Sequence, residues 1–452
     1  MNILLSILFY LFIIVGLIHL IHFALYLVGA NLYDVWSWKT IRRNGLQDPY
    51  KPLVSVLVPA YNEEAVIERC LQSVWNNTYN NIEIIIIDDG STDLTTDKIQ
   101  KFINGRMRVY SQTTPQIVRT KNGLKRIWRR GQAPISRRIK LVSQNNSGKA
   151  LALNNALRNH AKGELVMSLD ADSLIHKKAI ANAVNYFKDP TVMGVAANVR
   201  MIEELSVLGI LQRFEHLISY RSKKLFTVAN CELVVGGVAS TYRRSILHSV
   251  KNYPTDSVTE DIGLSMKITS RGNKKNRLIY AADVVAMTEG VNSFPALLRQ
   301  RYRWKLGSLQ NLVKYRRIMF SINKKYTKAL TFYRVPMGFI GEILLLMEPL
   351  VLGYVTYVSL KYFTPALFIS AYMAITVYIL LIIWPDEHLR FWGKIKSSLY
   401  APSLYFVFYI MNIVQLISIM RCLINPDKVI HPKKASNTWV SAKRIGKAPS
   451  FS

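Results

Sequence analysis

The apolar positions of this chain fall into three regimes. Residues 3–30 form one apolar run that contains His19 and His22 but no Lys, Arg, Asp or Glu. A single bilayer crossing needs about 20 such residues. The run lacks the basic leader and short core of a cleavable signal, so it predicts a retained anchor over residues 1–32. Apolar runs return after Arg334, near 336–360, 364–384 and 401–423, and predict further spans within 335–424. Residues 386–400, with Trp392, Lys394 and Lys396, are mixed in polarity and suit an interface. His19 and His22 are helical i, i+3 neighbours, which a local interfacial pair explains better than a ligand site.

The middle reads differently. Across residues 50–290, short β-rich runs alternate with helical stretches, the pattern of an α/β domain with a mostly parallel sheet. Runs at 53–58, 82–87 and 164–169 are apolar enough for buried parallel strands. Each ends in a turn bearing acids: Asn62-Glu63-Glu64, Asp88-Asp89-Gly90, and Asp170-Ala171-Asp172. The carboxyl edge of an open α/β sheet is where ligands bind. Asp88 or Asp89 could hold a base and ribose by hydrogen bonds. Asp170 and Asp172 could share Mg2+ or Mn2+ with the oxygens of a diphosphate. Together these needs describe a nucleotide-sugar donor.

Two later segments are ambiguous by composition. Thr259-Glu260-Asp261 opens a helical stretch at 262–270, where first-turn acids also serve as ordinary caps. Residues 294–315 interleave Arg299, Arg301, Arg303 and Lys305 with Leu297, Leu298, Tyr302 and Trp304, the composition of an interfacial helix within 291–330.

Charge adds orientation. The net charge is +31, which fits an anionic bilayer or an anionic substrate. Lys39, Arg42, Arg43 and Lys51 follow the first run and place the middle in the cytoplasm. The basic tail, 425–452, also favours that side, whereas one span before the middle and three after it would end outside. A re-entrant segment would reconcile the two. From Lys101 to Lys140 there are twelve Lys or Arg and no Asp or Glu; the insertion at 113–140 reads as a disordered loop or as a lipid- or polymer-binding arm. Glu342 and Glu348 lie inside a predicted span and serve either a polar path or helix pairing. Cys70, Cys231 and Cys422 are too scattered for a disulfide framework or a zinc site.

Gln300-Arg301-Tyr302-Arg303-Trp304 matches the pattern Gln-x-x-Arg-Trp, and it follows Asp-x-Asp and Thr-Glu-Asp in order. On these motifs the chain resembles the family 2 processive glycosyltransferases, the synthases of poly-N-acetylglucosamine, hyaluronan, chitin and cellulose, from Pro52 to Tyr315. The resemblance implies a GT-A nucleotide-sugar-binding domain flanked by transmembrane helices. It implies that Asp261, with Glu260 beside it, is the catalytic base, and that Asp170 and Asp172 hold the metal. Gln300, Arg303 and Trp304 would hold the acceptor end and the donor diphosphate. Lys149, in Ser147-Gly148-Lys149-Ala150, would lie near the donor. Gly236, Gly237 and Arg243 would form the acceptor-side loop. The expected donor is a UDP-sugar, with N-acetylglucosamine preferred; the acceptor is a growing polysaccharide that crosses the membrane. Addition of one sugar to a lipid acceptor is the alternative. The partners are then membrane lipids and sugars, with no nucleic acid; a non-catalytic basic membrane protein would leave the ordered acid turns unexplained. The absence of a cyclic-dinucleotide module after the last run makes cellulose the less favoured product.

Overall fold

The computed structural model describes residues 3–46, 49–111, 116–120, 123–127, 138–202, 206–363, 365–431 and 446. Its centre is an eight-stranded sheet built from β1 (Val54–Ala60), β2 (Ile82–Asp88), β5 (Ile139–Ser143), β6 (Leu165–Ser168), β7 (Ser173–Ile175), β8 (Val192–Met201), β9 (Ser240–Arg243) and β10 (Arg277–Thr288), in the order β5-β2-β1-β6-β9-β8-β10-β7. The pairs β5/β2, β2/β1, β1/β6 and β8/β10 run parallel; β9 is antiparallel to both β6 and β8. β1 is buried along its whole length, and five of the seven residues of β2 are Ile, which explains why both occupy the interior of the sheet. The expected α/β class and the three acid-bearing strand ends are therefore present.

Helices α2 (Ile67–Trp75), α3 (Thr95–Ser111), α4 (Lys149–Asn159), α5 (Ala179–Tyr186), α6 (Val207–Val228), α7 (Arg244–Ser249) and α8 (Glu260–Thr269) cover the sheet. One apolar core gathers Val56, Ile84 and Met167 with Ile67 and Leu71 of α2. The other gathers Leu57, Ile85 and Val166 with Leu153 of α4 and Leu264 of α8. Strand alternation divides each strand's side chains between these two layers. Within the basic insertion, β3 (Gln116–Thr120) and β4 (Gly123–Ile127) pair as a hairpin; the rest of 113–137 lies outside the described residues.

The anchor departs from its expected length. Helix α1 (Ile3–Gly45) continues well past residue 32, and its last turns dock on the sheet domain. The Tyr33 hydroxyl donates to the Tyr280 carbonyl (3.1 Å) and accepts from the Ala282 N–H (3.0 Å). Asn44 Nδ2 donates to Asn185 O (2.8 Å), and Asp34 pairs with Lys224 (2.5 Å). The apolar run ends near residue 30, and the helix continues beyond it with Tyr33, Asp34 and Asn44 partnered on the domain.

After the sheet come α9 (Phe294–Lys314), a π-helical turn (Ala329–Arg334), α10 (Val335–Lys361), α11 (Ala366–Ile383), α12 (Phe391–Ile424) and α13 (Asp427–Ile430). Among the described residues, α1 and the continuous helix Ala329–Lys361 are long and apolar enough to cross a membrane. A third candidate, α12, bends by 61° between Phe391–Leu404 and Tyr409–Ile424, as a broken span or a re-entrant loop does. The chain then comes back to the sheet domain's side. Gln310 Nε2 on α9 donates to the Lys428 carbonyl (2.8 Å). At Gly446 (φ 72°), a Cβ would lie 3.0 Å from the Ala65 carbonyl oxygen in the loop after β1.

Candidate active site

The carboxyl edge of β6 and the start of α8 bring four charged side chains together. Lys149 Nζ lies 2.7 Å from Asp170 Oδ1 and 3.0 Å from Glu260 Oε1. Gly237 packs over them: a Cβ there would lie 3.1 Å from Lys149 Nζ, 3.7 Å from Asp261 Oδ2 and 3.8 Å from Asp170 Oδ2. A side chain at 237 would fill the space between these groups, which is why glycine suits the position. Gly236, next to it, has nothing within 4 Å of its own Cβ position.

The electrostatics are unusual for a helix start. Lys149 is the first residue of α4, where the helix dipole disfavours a cation. Burial also works against its charge, but the Asp170, Glu260 and Asp261 carboxylates outweigh burial and raise its pKa well above the ordinary lysine value. Asp261 is pushed up to about 6, first by burial and then by the neighbouring Glu260 carboxylate, with Lys149 pulling the other way. Asp261 Oδ1 accepts from the Ile262 N–H (2.8 Å). Thr259, the N-cap, makes no side-chain cap bond. First-turn acids would ordinarily serve the helix end; here Glu260 is turned to a lysine of another helix.

The Asp170-Ala171-Asp172 turn separates its two acids. Asp170 keeps partial exposure beside Lys149. Asp172 is buried, and its Oδ1 accepts from Ser173 Oγ (2.8 Å) and Thr288 Oγ1 (3.4 Å). Among the described residues no three His, Cys, Asp or Glu side chains converge as an all-protein metal cage. Mg2+ and Mn2+ do not need one, since one or two carboxylates plus substrate oxygens suffice. A carboxylate already holding a cation, the Lys149 ammonium, fits that demand.

Three expectations change with the geometry. Asp88 and Asp89 are buried at the ligand edge, but their carboxylates brace the edge itself. Asp88 Oδ1 accepts from the Ser91 N–H (3.0 Å), and Oδ2 accepts from Thr96 Oγ1. Asp89 accepts from Gln144 Nε2 (2.7 Å), Ser147 N (3.0 Å), Ser147 Oγ (3.1 Å) and Gly148 N (2.8 Å). That clamp shapes the loop that delivers Lys149. Arg243 is not brought to the site: it pairs with Leu165, at the opposite end of β6 from Asp170. Its guanidinium donates to the carbonyls of Val192 (2.9 Å), Phe187 (2.5 Å) and Asp189 (3.1 Å). Four residues of antiparallel strand carry the chain from Gly237's edge to the far one.

The interfacial helix is locked to the site from below. Gly307 of α9 presses on Thr259, whose Cβ would lie 2.8 Å from a Cβ at 307. Gly263 of α8 reciprocates against Asn311 Oδ1 (3.2 Å). Asn311 Nδ2 donates to Ser257 Oγ (2.8 Å), and Lys314 pairs with Asp256 (2.7 Å). On the other side, Lys305 pairs with Glu342 of α10 (2.8 Å). Glu342 is thereby a helix-pairing residue, and Glu348 accepts from Asn412 Nδ2 (2.7 Å). Arg303 is exposed and Trp304 is 37 % exposed, while Gln300 Oε1 is buried without a hydrogen-bond partner.

Sequence reasoning missed Arg301. It is 1 % exposed, pairs with Glu215 of α6 at 2.5 Å, and lies 4.2 Å from the Trp304 ring centroid. Its i, i+3 relation to Trp304 was visible, but Glu215 carries no sequence signal. Gly307 was also legible, as a glycine inside a helical pattern.

Comparison with known proteins agrees with this architecture. Residues 55–250 match the profile of glycosyl transferase family 2, and residues 165–416 match that of glycosyl transferase family group 2, more than half of the chain. The chain is 28 % identical to poly-beta-1,6-N-acetyl-D-glucosamine synthase of Staphylococcus aureus (strain COL) over 263 residues, 58 % of this chain and 56 % of the relative. The Staphylococcus epidermidis synthase is 28 % identical over 264 residues, again 58 % and 56 %. The match thus spans little more than half the length of these relatives. Among solved structures, mannosyltransferase PcManGT from Pyrobaculum calidifontis, in complex with GDP-Man and Mn2+, superposes with a TM-score of 0.52 at 22 % identity, covering 84 % of this chain and 96 % of that one; this supports the GT-A-type fold. The chain belongs to glycosyl transferase family 2.

Proposed function

We propose that the protein is an inverting, membrane-embedded synthase that transfers N-acetylglucosamine from UDP-N-acetylglucosamine to a growing polysaccharide and passes the product across the bilayer. The observation that carries this reading is the convergence of Lys149, Asp170, Glu260 and Asp261 beside Gly237, with α9 docked on the same segment and tied to a candidate span. The sugar preference follows the staphylococcal poly-beta-1,6-N-acetyl-D-glucosamine synthases to which the chain is similar.

Asp261 acts as general base. It takes the proton of the acceptor hydroxyl as that oxygen attacks the anomeric carbon; the bond to the diphosphate breaks and the diphosphate leaves with the electron pair. A base with a pKa near 6 is mostly ionised at neutral pH and is stronger than an ordinary aspartate. Lys149 holds Asp170 and Glu260 in place and supplies positive charge where the donor phosphates are received. Glu260 raises the basicity of Asp261 through its own charge. Asp170, with Asp172 behind it, would hold Mg2+ or Mn2+, which neutralises charge on the departing diphosphate. Asp88 and Asp89 support the donor side by fixing the 144–148 loop. Trp304 offers a half-exposed face on which a sugar ring can stack, and Arg303 offers its guanidinium to phosphate. The sheet domain lies in the cytoplasm, flanked by 1–32 and 335–424 in the membrane, on the basic residues that follow the first apolar run.

The test is a panel of UDP-sugars with Mg2+ or Mn2+, read as UDP release and product length. UDP release and long chains from UDP-N-acetylglucosamine are expected. Products carrying one added sugar on lipid would replace the polymerising reading with single transfer.

A further inference from the structure

The candidate spans carry ionisable side chains that glycosyl transfer does not use. His19, His22, Arg334 and Glu348 line one cavity of about 220 Å3 between α1 and α10, with Tyr26 and Phe226 among its walls. Both helices belong to the pair long and apolar enough to cross a membrane. An ionisable group at such depth needs a protein partner or a ligand.

Arg334 has no ion-pair partner among the described residues. Its guanidinium lies over the Phe226 ring, 4.2 Å from the centroid, and its Nε is buried without a hydrogen-bond partner. None of the ion pairs among the described residues includes it; Asp34 pairs with Lys224 and Glu342 with Lys305, while Glu232, between Cys231 and Leu233 of the cluster that holds Val335, spends Oε1 on the Leu233 and Val234 N–H groups and leaves Oε2 buried without a hydrogen-bond partner. Glu348, on the same lining, is held by Asn412 (2.7 Å). Around the unmatched charge stand groups able to donate hydrogen bonds. His22 stacks on Tyr26 with centroids 5.7 Å apart and lies 6.0 Å from Tyr333. Arg334 also closes the π-helical turn Ala329–Arg334, a feature that concentrates at functional sites.

The cavity lining includes no residue of α9 or of the sheet, so it is separate from the acceptor helix. The two helices that enclose it also carry exposed apolar side chains, Leu20, Ile21 and Leu25 on α1 and Ile340 and Ile343 on α10. The occupant therefore combines an oxyanion with hydrocarbon. The geometry points to a binding site for the phosphate headgroup of an anionic bilayer lipid, seated on Arg334 beside His22 and Tyr26. A chain of net charge +31 draws such lipids to its surface; the cavity would select one of them.

The test uses the full chain in detergent, titrated with phosphatidylglycerol, phosphatidylcholine or inorganic phosphate and read by native mass spectrometry. One tightly retained phosphatidylglycerol is expected, with phosphatidylcholine at least tenfold weaker. Arg334→Met should weaken phosphatidylglycerol binding at least tenfold, whereas Lys39→Met, an exposed charge outside the cavity, should leave it unchanged. Equal loss in both variants, or loss in neither, overturns the site in favour of general surface attraction. Equal retention of the two lipids overturns the requirement for an anion, and displacement by inorganic phosphate at similar concentration overturns the requirement for a lipid. Should Arg334→Met not fold, His22→Phe preserves the aromatic stack and should still weaken phosphatidylglycerol several-fold; unchanged affinity there overturns the proposal.

Discussion

Two acid pairs sit at the same edge of the same sheet and do different work. Asp88-Asp89 follows β2, and Asp170-Ala171-Asp172 follows β6. Both positions look alike from strand pattern. In the first pair every carboxylate oxygen accepts from the surrounding fold, Asp88 from the Ser91 N–H and Thr96 Oγ1 and Asp89 from the 144–148 loop. At the second turn Asp170 remains partly exposed, and its nearest partner is a lysine shared with Glu260. A carboxylate whose acceptor capacity is filled by its own fold stabilises; one balanced by a shared, rearrangeable cation is placed for a substrate.

The largest expected effects break this contrast from the catalytic side. Asp261→Asn should lower kcat roughly 10²- to 10⁴-fold, the usual worth of a positioned base, with thermal unfolding little changed. Normal turnover would remove Asp261 from the mechanism. Asp89→Asn should behave the other way: losing charge-assisted bonds costs about 2–3 kcal/mol, read as a lower Tm, with kcat reduced less than in Asp261→Asn. A variant with intact stability and no activity would show that Asp89 touches the donor.

Next in size is the docking of α9. Gly307→Ala places a methyl against Thr259, and the resulting shift of Thr259-Glu260-Asp261 relative to Trp304 should cost about 10²-fold in kcat/KM, since misplacement by 1 Å has that scale. Wild-type kinetics would mean that the helix adjusts freely. Arg301→Met leaves the partly exposed Glu215 carboxylate without its partner, a loss expected below the roughly 3–5 kcal/mol of a fully buried pair. A double variant, Arg301→Met with Glu215→Leu, should recover much of that stability but not the acceptor KM, because Trp304 loses the guanidinium that lies against it.

The smallest effect sharpens the comparison by pH. Asp261 titrates near 6, above its ordinary value. As a base it must be ionised, so kcat/KM should fall tenfold per unit below about pH 6 and level off above it. The sign for stability is opposite: a carboxyl whose folded pKa is raised favours the fold while protonated, and that contribution fades as pH rises through 6. An acid limb that persists in Glu260→Gln but moves to lower pH would confirm that the neighbouring charge raises Asp261.

Much of this was legible in order along the chain. Strand periodicity marked β1, β2 and β6, and the spacing of Asp-x-Asp, Thr-Glu-Asp and Gln-x-x-Arg-Trp marked the segments that meet. Arg243 misled because it lies only six residues from Gly237, and proximity in sequence hides that an antiparallel strand carries it to the far edge. Glu342 left a polar path and helix pairing equally open until Lys305 appeared opposite it. The end of α1 was invisible to hydropathy, since the apolar run stops near residue 30 while the helix runs on to Gly45 with Tyr33 and Asn44 bonded to the domain.

The family resemblance, the α/β class, three of the eight strands and the identity of the charged groups were written in the sequence, because these rest on local periodicity and on motif spacing. Tertiary structure decided which charges face one another. Lys149 meets Asp170 and Glu260 across separations of about twenty and a hundred residues, and Lys428, beyond α12, meets Gln310 of α9. Coulomb interactions and hydrogen bonds act over a few ångströms in space, whatever the distance along the chain. A role that depends on which partner fills a carboxylate is therefore written only in the folded molecule.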